Sequence, residues 1–372
     1  MGCCKSSCEG TGMTNVFAMG RVGACWILFM WSAAVQLVVL CGVQQTQAGV
    51  IPVHIYGNGS SSNGSEEEAG REGLSLYTPP PLVLDYHDGP LMTSSTGIPV
   101  YLLWYGVFSK SEKQTVADFV RSISPMNEQQ QQLGLTPSVS MWWKTLTSYK
   151  DNRGMQVTSV VSIAGQHTDR SGSLGRNLNL LDVETLVENS VANAYFPADA
   201  AAVYVVVTAY NVNVQGFCLS SCGLHSFLQP SAKTKGKQLV YAWVGNPGTQ
   251  CPGYCAWPFA VDPSIGPQDF KPLIAPNGVG ADGMVINLAT LLAGTATNPF
   301  NTGYYQGVAT LPNEAATACL GSFGTGSYPG QPGQLLTNTL TKASFNAYGI
   351  HHRQFLLPAL WDPTTQTCKT LT

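Results

Sequence analysis

Between residues 284 and 296 the chain carries apolar side chains on all sides of a helical wheel, so it offers water no face. A helix of that kind must be enclosed by the domain around it. Asp282 can accept a backbone N–H as N-cap, and Asn298-Pro299 ends the segment because the residue before proline is pushed out of the α region. The pattern therefore predicts a buried helix over about 283–297. Upstream, residues 98–106 form a β-branched and aromatic run that reads as a buried strand. Ser109 and Glu112 then make a capping box for a helix to Ile123, with Val116, Phe119, Val120 and Ile123 on one face. Pro137-Ser138 opens a helix holding Met141, Trp142, Trp143 and Leu146; a strand is expected at 157–163, a loop at 165–176 and an amphipathic helix at 182–194. Residues 201–208, AAVYVVVT, belong in the middle of a sheet, followed by strands within 217–228 and 238–244 and a strand-like tail at 344–361. Strands alternating with helices give an α/β domain, α+β being the other option. A mixed sheet would pack on helices around the buried one.

The first 80 residues follow other rules. Arg21 precedes an apolar run from 22 to 43, and Thr46-Gln47-Ala48 offers a cleavage site between small residues. Residues 1–48 read as a signal peptide, with an uncleaved signal anchor as the alternative because the run approaches the ~20 residues that span a bilayer. Met1-Gly2-Cys3-Cys4-Lys5-Ser6 also fits an acylation pattern, which conflicts with secretion and is read as accidental; initiation at Met13 or Met19 would leave an ordinary leader. Residues 49–81 are rich in Ser, Gly and Pro and read as a flexible linker. They hold two sequons, at Asn58 and Asn63. The folded domain then spans 82–372.

Composition narrows the partners. Only 10% of residues are charged, 18 basic against 21 acidic with no basic cluster, so a nucleic-acid footprint is missing. Of 11 cysteines, five leave with the leader, while Cys218, Cys222, Cys251, Cys255, Cys319 and Cys368 remain. An even number in a secreted chain points to disulfides, with a four-thiolate zinc site near His225 as the alternative. Six cysteines allow 15 pairings; two bridges among the clustered four and one from Cys319 to Cys368 are preferred.

Candidate chemistry is sparse. Adjacent Trp142 and Trp143 suit core packing better than a sugar platform, because helical neighbours point about 100° apart. Arg170 and Arg176 in the Gly/Ser-rich 165–176 segment suggest an anion cradle, but the segment lacks the Gly-Lys-Ser/Thr ending of a P-loop and reads as a mobile surface loop. His167 has no second histidine at ligand spacing. Ser171-Gly172-Ser173-Leu174-Gly175 lacks the leading glycine of a nucleophile elbow.

Several motifs together resemble one family. Pro276-Asn277-Gly278, Asp282-Gly283-Met284 and Ala296-Thr297-Asn298-Pro299 are similar to the core signature of the plant EXORDIUM, or phosphate-induced protein, family. So are Tyr86-His87-x-Gly89-Pro90, the Phe217-Cys218 to His225 segment, Tyr241-Ala242-Trp243-Val244-Gly245-Asn246 and Cys251-Pro252-Gly253-x-Cys255-Ala256, so the resemblance runs from Tyr86 to the C-terminus. Related sequences often carry His-Glu-x-x-Glu in the helix, which looks like a zincin metal site. Here those positions fall on Thr290, Leu291 and Gly294, which supply neither ligands nor a base. The resemblance thus implies a zincin-like scaffold without its metal, and Glu314, with Thr317 where an Asp is expected, reads as a surface acid or cap. His351-His352-Arg353 reads as exposed charge, and His87, His167 and His225 are the remaining places for a metal. The implied protein is secreted to the apoplast, non-enzymatic and associated with brassinosteroid-responsive growth and cell expansion. No cofactor is expected. The partner would be a cell-wall polysaccharide or an extracellular protein, with no nucleic acid and no stable membrane insertion once the leader is cleaved; a glycan-binding module, or a hydrolase of another type, is the alternative.

Overall fold

The computed structural model describes residues 81–125, 135–262 and 270–372. The leader at 1–48, nearly all of the linker at 49–81, both sequons and the glutamine tract at 129–132 lie outside the described residues. The domain is built on a five-stranded sheet made from β1 (Ile98–Tyr105), β2 (Val161–Asp169), β3 (Val203–Thr208), β4 (Gly223–Leu228) and β5 (Leu239–Gly245), in the order β2-β1-β3-β5-β4. All neighbours are parallel except β4 and β5. The expected mixed sheet of an α/β fold is present.

Each strand's sequence follows from its place. β3 and β5 are buried at every position, so they read as unbroken apolar runs. β2 is an edge strand in which half-buried and exposed residues alternate. That alternation explains a boundary error: the strand runs through Gly165, Gln166 and Thr168 to Asp169, where a loop was expected, because polar residues on the open side of an edge strand resemble loop composition. The true loop begins at Arg170.

Helix α1 (Lys110–Ile123) starts at the predicted capping box, with Ser109 and Glu112 each accepting the other's backbone N–H. The short α2 (Val139–Lys144) buries both tryptophans, whose indole N–H groups donate to the carbonyls of Pro358 and Thr158. Core packing, rather than a sugar platform, is their role. Helix α3 (Leu180–Ala192) packs on the opposite face of the sheet, where Tyr241 of β5 donates to Glu184.

Helix α4 (Val279–Thr297) lies beside α1 and across β4 and β5. It is long and apolar enough to cross a membrane, yet 78% of its most apolar stretch is buried inside the domain. Its buried threonines avoid unsatisfied hydroxyls by bonding back along the helix, Thr295 to the Leu291 carbonyl and Thr297 to that of Ala293. The helix begins one turn before the expected N-cap. Gly278 takes that position with φ of 93°, a backbone conformation that favours glycine, and Asp282 sits within the first turn. From there Asp282 accepts the backbone and side-chain N–H groups of Asn277. Its donors are not the first-turn N–H groups that a cap would take but those of Asn277, which precedes the helix.

Asn277 in turn accepts from Arg353, whose guanidinium also donates to Asp118 and Thr115 of α1. Arg353 is therefore turned into the domain, correcting its reading as exposed charge, whereas His351 and His352 are exposed as expected. Disulfides join Cys218 to Cys251, Cys222 to Cys255 and Cys319 to Cys368. The first two tie the entry of β4 to the helical turn after β5, as preferred, and leave no thiolate for zinc. The third links the 317–319 turn to the last strand pair, β6 (Leu360–Asp362) and β7 (Thr367–Lys369).

Burial pushes the Asp282 carboxyl up to about 7, against the lowering effect of the Asn277 hydrogen bonds and the Arg353 charge. Its proton is held more tightly in the folded chain than in the unfolded one, whose reference value is 3.8. The stabilisation from that proton is complete below the unfolded value and is lost as pH rises through the folded one. Urea unfolding between pH 4 and 7 should accordingly show wild type losing stability relative to Asp282→Asn as pH rises. A constant difference between the two proteins across that range would refute it.

Candidate functional site

His225 lies in the middle of β4, the buried edge strand beside β5, and its ring points toward α4. Directly beneath it is Gly294, and just past the helix the cap residue Asn298 returns its backbone N–H to the Gly294 carbonyl. Glu314 arrives from a small sheet of three strands, Asp85–Tyr86, Tyr304–Val308 and Leu311–Asn313. Its main chain is locked in place: its N–H donates to the Thr317 hydroxyl and its carbonyl accepts from Ala318.

These four residues meet. His225 Nε2 lies 3.0 and 2.8 Å from the two carboxylate oxygens of Glu314, and Asn298 donates its side-chain N–H to Glu314 Oε1 at 2.7 Å. Asn298 Oδ1 accepts from the Gly303 backbone. Exposure is 2% for both His225 and Glu314 and zero for Asn298. Taking a carboxylate this far from water is costly unless donors surround it, and here the imidazole and the amide supply them.

Glycine at 294 makes the arrangement sterically feasible. A Cβ there would stand 2.5 Å from Glu314 Oε2 and 3.0 Å from His225 Nε2, so the pair occupies the space of the missing side chain. The two neighbouring positions are equally committed to packing. Thr290 bonds its hydroxyl to the Ile286 carbonyl, and Leu291 is buried against Gly223 of β4, where a Cβ would meet the leucine at 2.8 Å. Among the described residues no group of three or more His, Cys, Asp and Glu side chains converges to hold a metal ion. Chemically the centre can anchor helix, strand and loop to one another, and its carboxylate is closed off by its donors.

The other histidines are dispersed. His87 stacks on Tyr305 with ring centroids 3.8 Å apart, and His167 stacks on Tyr195 at the same distance. Glu314 is the main correction: a residue read as a surface acid is the buried partner of a histidine 89 positions away. Only the topology brings the two together. The signal present in the sequence was a polar residue inside an apolar element, His225 within GLHSFL and Asn298 closing the apolar helix, since buried polar groups require partners.

Comparison with known proteins agrees with the motifs. Residues 84–371 match the family described as "Phosphate-induced protein 1 conserved region". The chain is 46% identical over 289 residues to Protein EXORDIUM-like 1 of Arabidopsis thaliana, covering 77% of this chain and 89% of that protein. It is 46% identical over 297 residues to Protein EXORDIUM of the same plant, covering 78% and 89%. With Protein PHOSPHATE-INDUCED 1 of Nicotiana tabacum it shares 44% identity over 292 residues, covering 78% and 88%. No solved structure matches.

Gly294→Ala tests the tight centre. In an open helix the change would stabilise by about 1 kcal/mol through helix propensity. Here the new methyl group must displace the Glu314 carboxylate, and overpacking of that kind costs roughly 1–3 kcal/mol. The variant should unfold at lower denaturant than wild type. An equal or higher midpoint would show that the carboxylate is not held against the helix.

Proposed function

Since the chain belongs to the EXORDIUM, or phosphate-induced protein, family, we propose that it is a secreted apoplastic protein that acts by binding rather than by catalysis. Its setting would be brassinosteroid-responsive growth and cell expansion, the role the family resemblance implies. One observation carries the non-catalytic part: Glu314 and His225 fill the space over Gly294, where a zincin-like scaffold would present a ligand. Thr290 and Leu291 beside it are engaged with the helix backbone and with β4. A site that activates water needs an open position beside an acid or metal, and this centre is packed shut.

Secretion is supported by the leader-like 1–48 segment and by the three disulfides. Glycans on Asn58 and Asn63 would then be carried by the 49–81 segment. The partner is a cell-wall polysaccharide or an extracellular protein, with no nucleic acid and no membrane insertion after cleavage. Protein recovered from wall fluid should begin near Gly49. The purified protein should release no products from wall polysaccharides or peptides, with or without added zinc. Retention of the 22–43 segment in a membrane fraction, or chelator-sensitive cleavage of any of these substrates, would contradict the reading.

A further inference from the structure

The parallel strands β1, β2 and β3 all end on one side of the sheet, and the strand order reverses between β1 and β3. In open α/β sheets, ligands bind at the carboxyl ends of the strands near such a reversal. An open groove of about 680 Å³ starts at the carboxyl end of the edge strand β2 and runs along that strand beside the second half of helix α3. A second, narrower cleft between Gly106, Gly172 and Asn211 adjoins it, and the two share Arg170 and Ser171.

The groove floor is apolar, formed by Leu103, Leu174 and Leu186. Its wall is Tyr195, which is 53% exposed and lies on the His167 ring at 3.8 Å and an interplanar angle of 10°. One face of the tyrosine is fixed by the histidine. Ala194 just before it has φ of 57°, a conformation unfavourable for alanine, and this bend carries Tyr195 beyond the end of α3. Along the helix side stand the amides of Asn189 and Asn193, and along the loop side the hydroxyls of Ser171 and Ser173.

The loop carrying Arg170 is held in shape, contrary to its reading as a mobile segment. Asp169 accepts the Ser171 hydroxyl and the backbone N–H groups of Gly172 and Ser173. Burial acts to raise the Asp169 carboxyl, but these hydrogen bonds outweigh it and hold the group below its ordinary value. Its charge is thereby committed to the loop. Arg170 and Arg176 line the narrower cleft, and the ammonium of Lys113, which donates to the Thr168 hydroxyl, is lowered first by burial and then by the Arg170 charge. Among the described residues neither arginine has a carboxylate within 4.0 Å.

An exposed aromatic face, amides, hydroxyls and an unengaged guanidinium in an open trough match the chemistry of a sugar acid. Pyranose rings present C–H faces to aromatic rings, and a guanidinium takes a carboxylate through paired hydrogen bonds. A phosphate ligand fits less well. The helix N-termini nearest the strand ends are already filled from within, α1 by Glu112 and α3 by Asp182, so a phosphate there would meet a carboxylate.

We propose that this groove binds a uronic-acid oligosaccharide, with one sugar ring on the open face of Tyr195 and its carboxylate on Arg170. The proposal rests on the extracellular, non-catalytic reading above. The test is calorimetric titration of the full secreted protein with short oligogalacturonides, and with neutral cello-oligosaccharides for comparison. Wild type should prefer the acidic sugar and lose affinity as salt is raised. Arg170→Gln and Tyr195→Ala should each weaken binding about tenfold or more, whereas Tyr195→Phe, which keeps the ring, and Lys342→Gln, on an exposed turn that does not line the groove, should not. Unfolding midpoints matched to wild type would exclude misfolding of these surface variants. Equal affinity for neutral and acidic sugars, unchanged binding by both Arg170→Gln and Tyr195→Ala, or no binding at all would overturn the proposal. Chromatography of the recovered sugar separates the two readings: shortened chains contradict the non-catalytic function, while intact chains bound equally by every variant dispose of this site alone.

Discussion

Enclosure of α4 is the constraint on which the other elements depend. A helix of 19 residues with 15 of them buried needs apolar cover on every side, and the chain supplies it from several directions. α1 lies along one flank, β4 and β5 along another, and the helical turn held by Cys222–Cys255 packs near its start. Both ends of the helix are then fastened by polar groups. At the N-terminus, Asp118, Arg353, Asn277 and Asp282 form a continuous chain of hydrogen bonds from α1 to the first turn. Toward the C-terminus, His225, Glu314 and Asn298 join strand, loop and cap.

The second cluster ties three separate parts of the chain together. Removing one member of a buried hydrogen-bonded pair leaves the other unsatisfied at a cost of about 1–3 kcal/mol, a sizeable part of the roughly 5–15 kcal/mol that holds a typical domain together. The packing over Gly294 and the disposition of Thr290 and Leu291 therefore belong to one arrangement, in which the helix centre is held by its neighbours.

Much of the architecture was legible because the strongest signals were local. The unbroken apolar runs of β3 and β5 marked central strands, the Ser109/Glu112 box marked the start of α1, and the apolar wheel around residues 284–296 marked a buried helix. Where the reading failed, the deciding interaction was distant in sequence or mimicked another pattern. β2 alternates polar residues because it is an edge, and so resembled a loop. Asp282 resembled an N-cap because it stands before the apolar run, while Gly278 opens the helix one turn earlier. Glu314 and Arg353 looked solvated because their partners, His225 and Asp118, lie 89 and 235 positions away. His167 was read only as an isolated imidazole and Tyr195 gave no signal, since a stacked pair formed across a helix leaves no spacing to detect.

The central claim is that the Glu314 carboxylate serves as a structural anchor through His225, and a double-mutant cycle measures that directly. Unfolding free energies of wild type, His225→Leu, Glu314→Gln and the double variant should give a coupling above about 1.5 kcal/mol, as expected for contacting buried groups in one network. Additivity to within about 0.5 kcal/mol, the behaviour of independent sites, would contradict it.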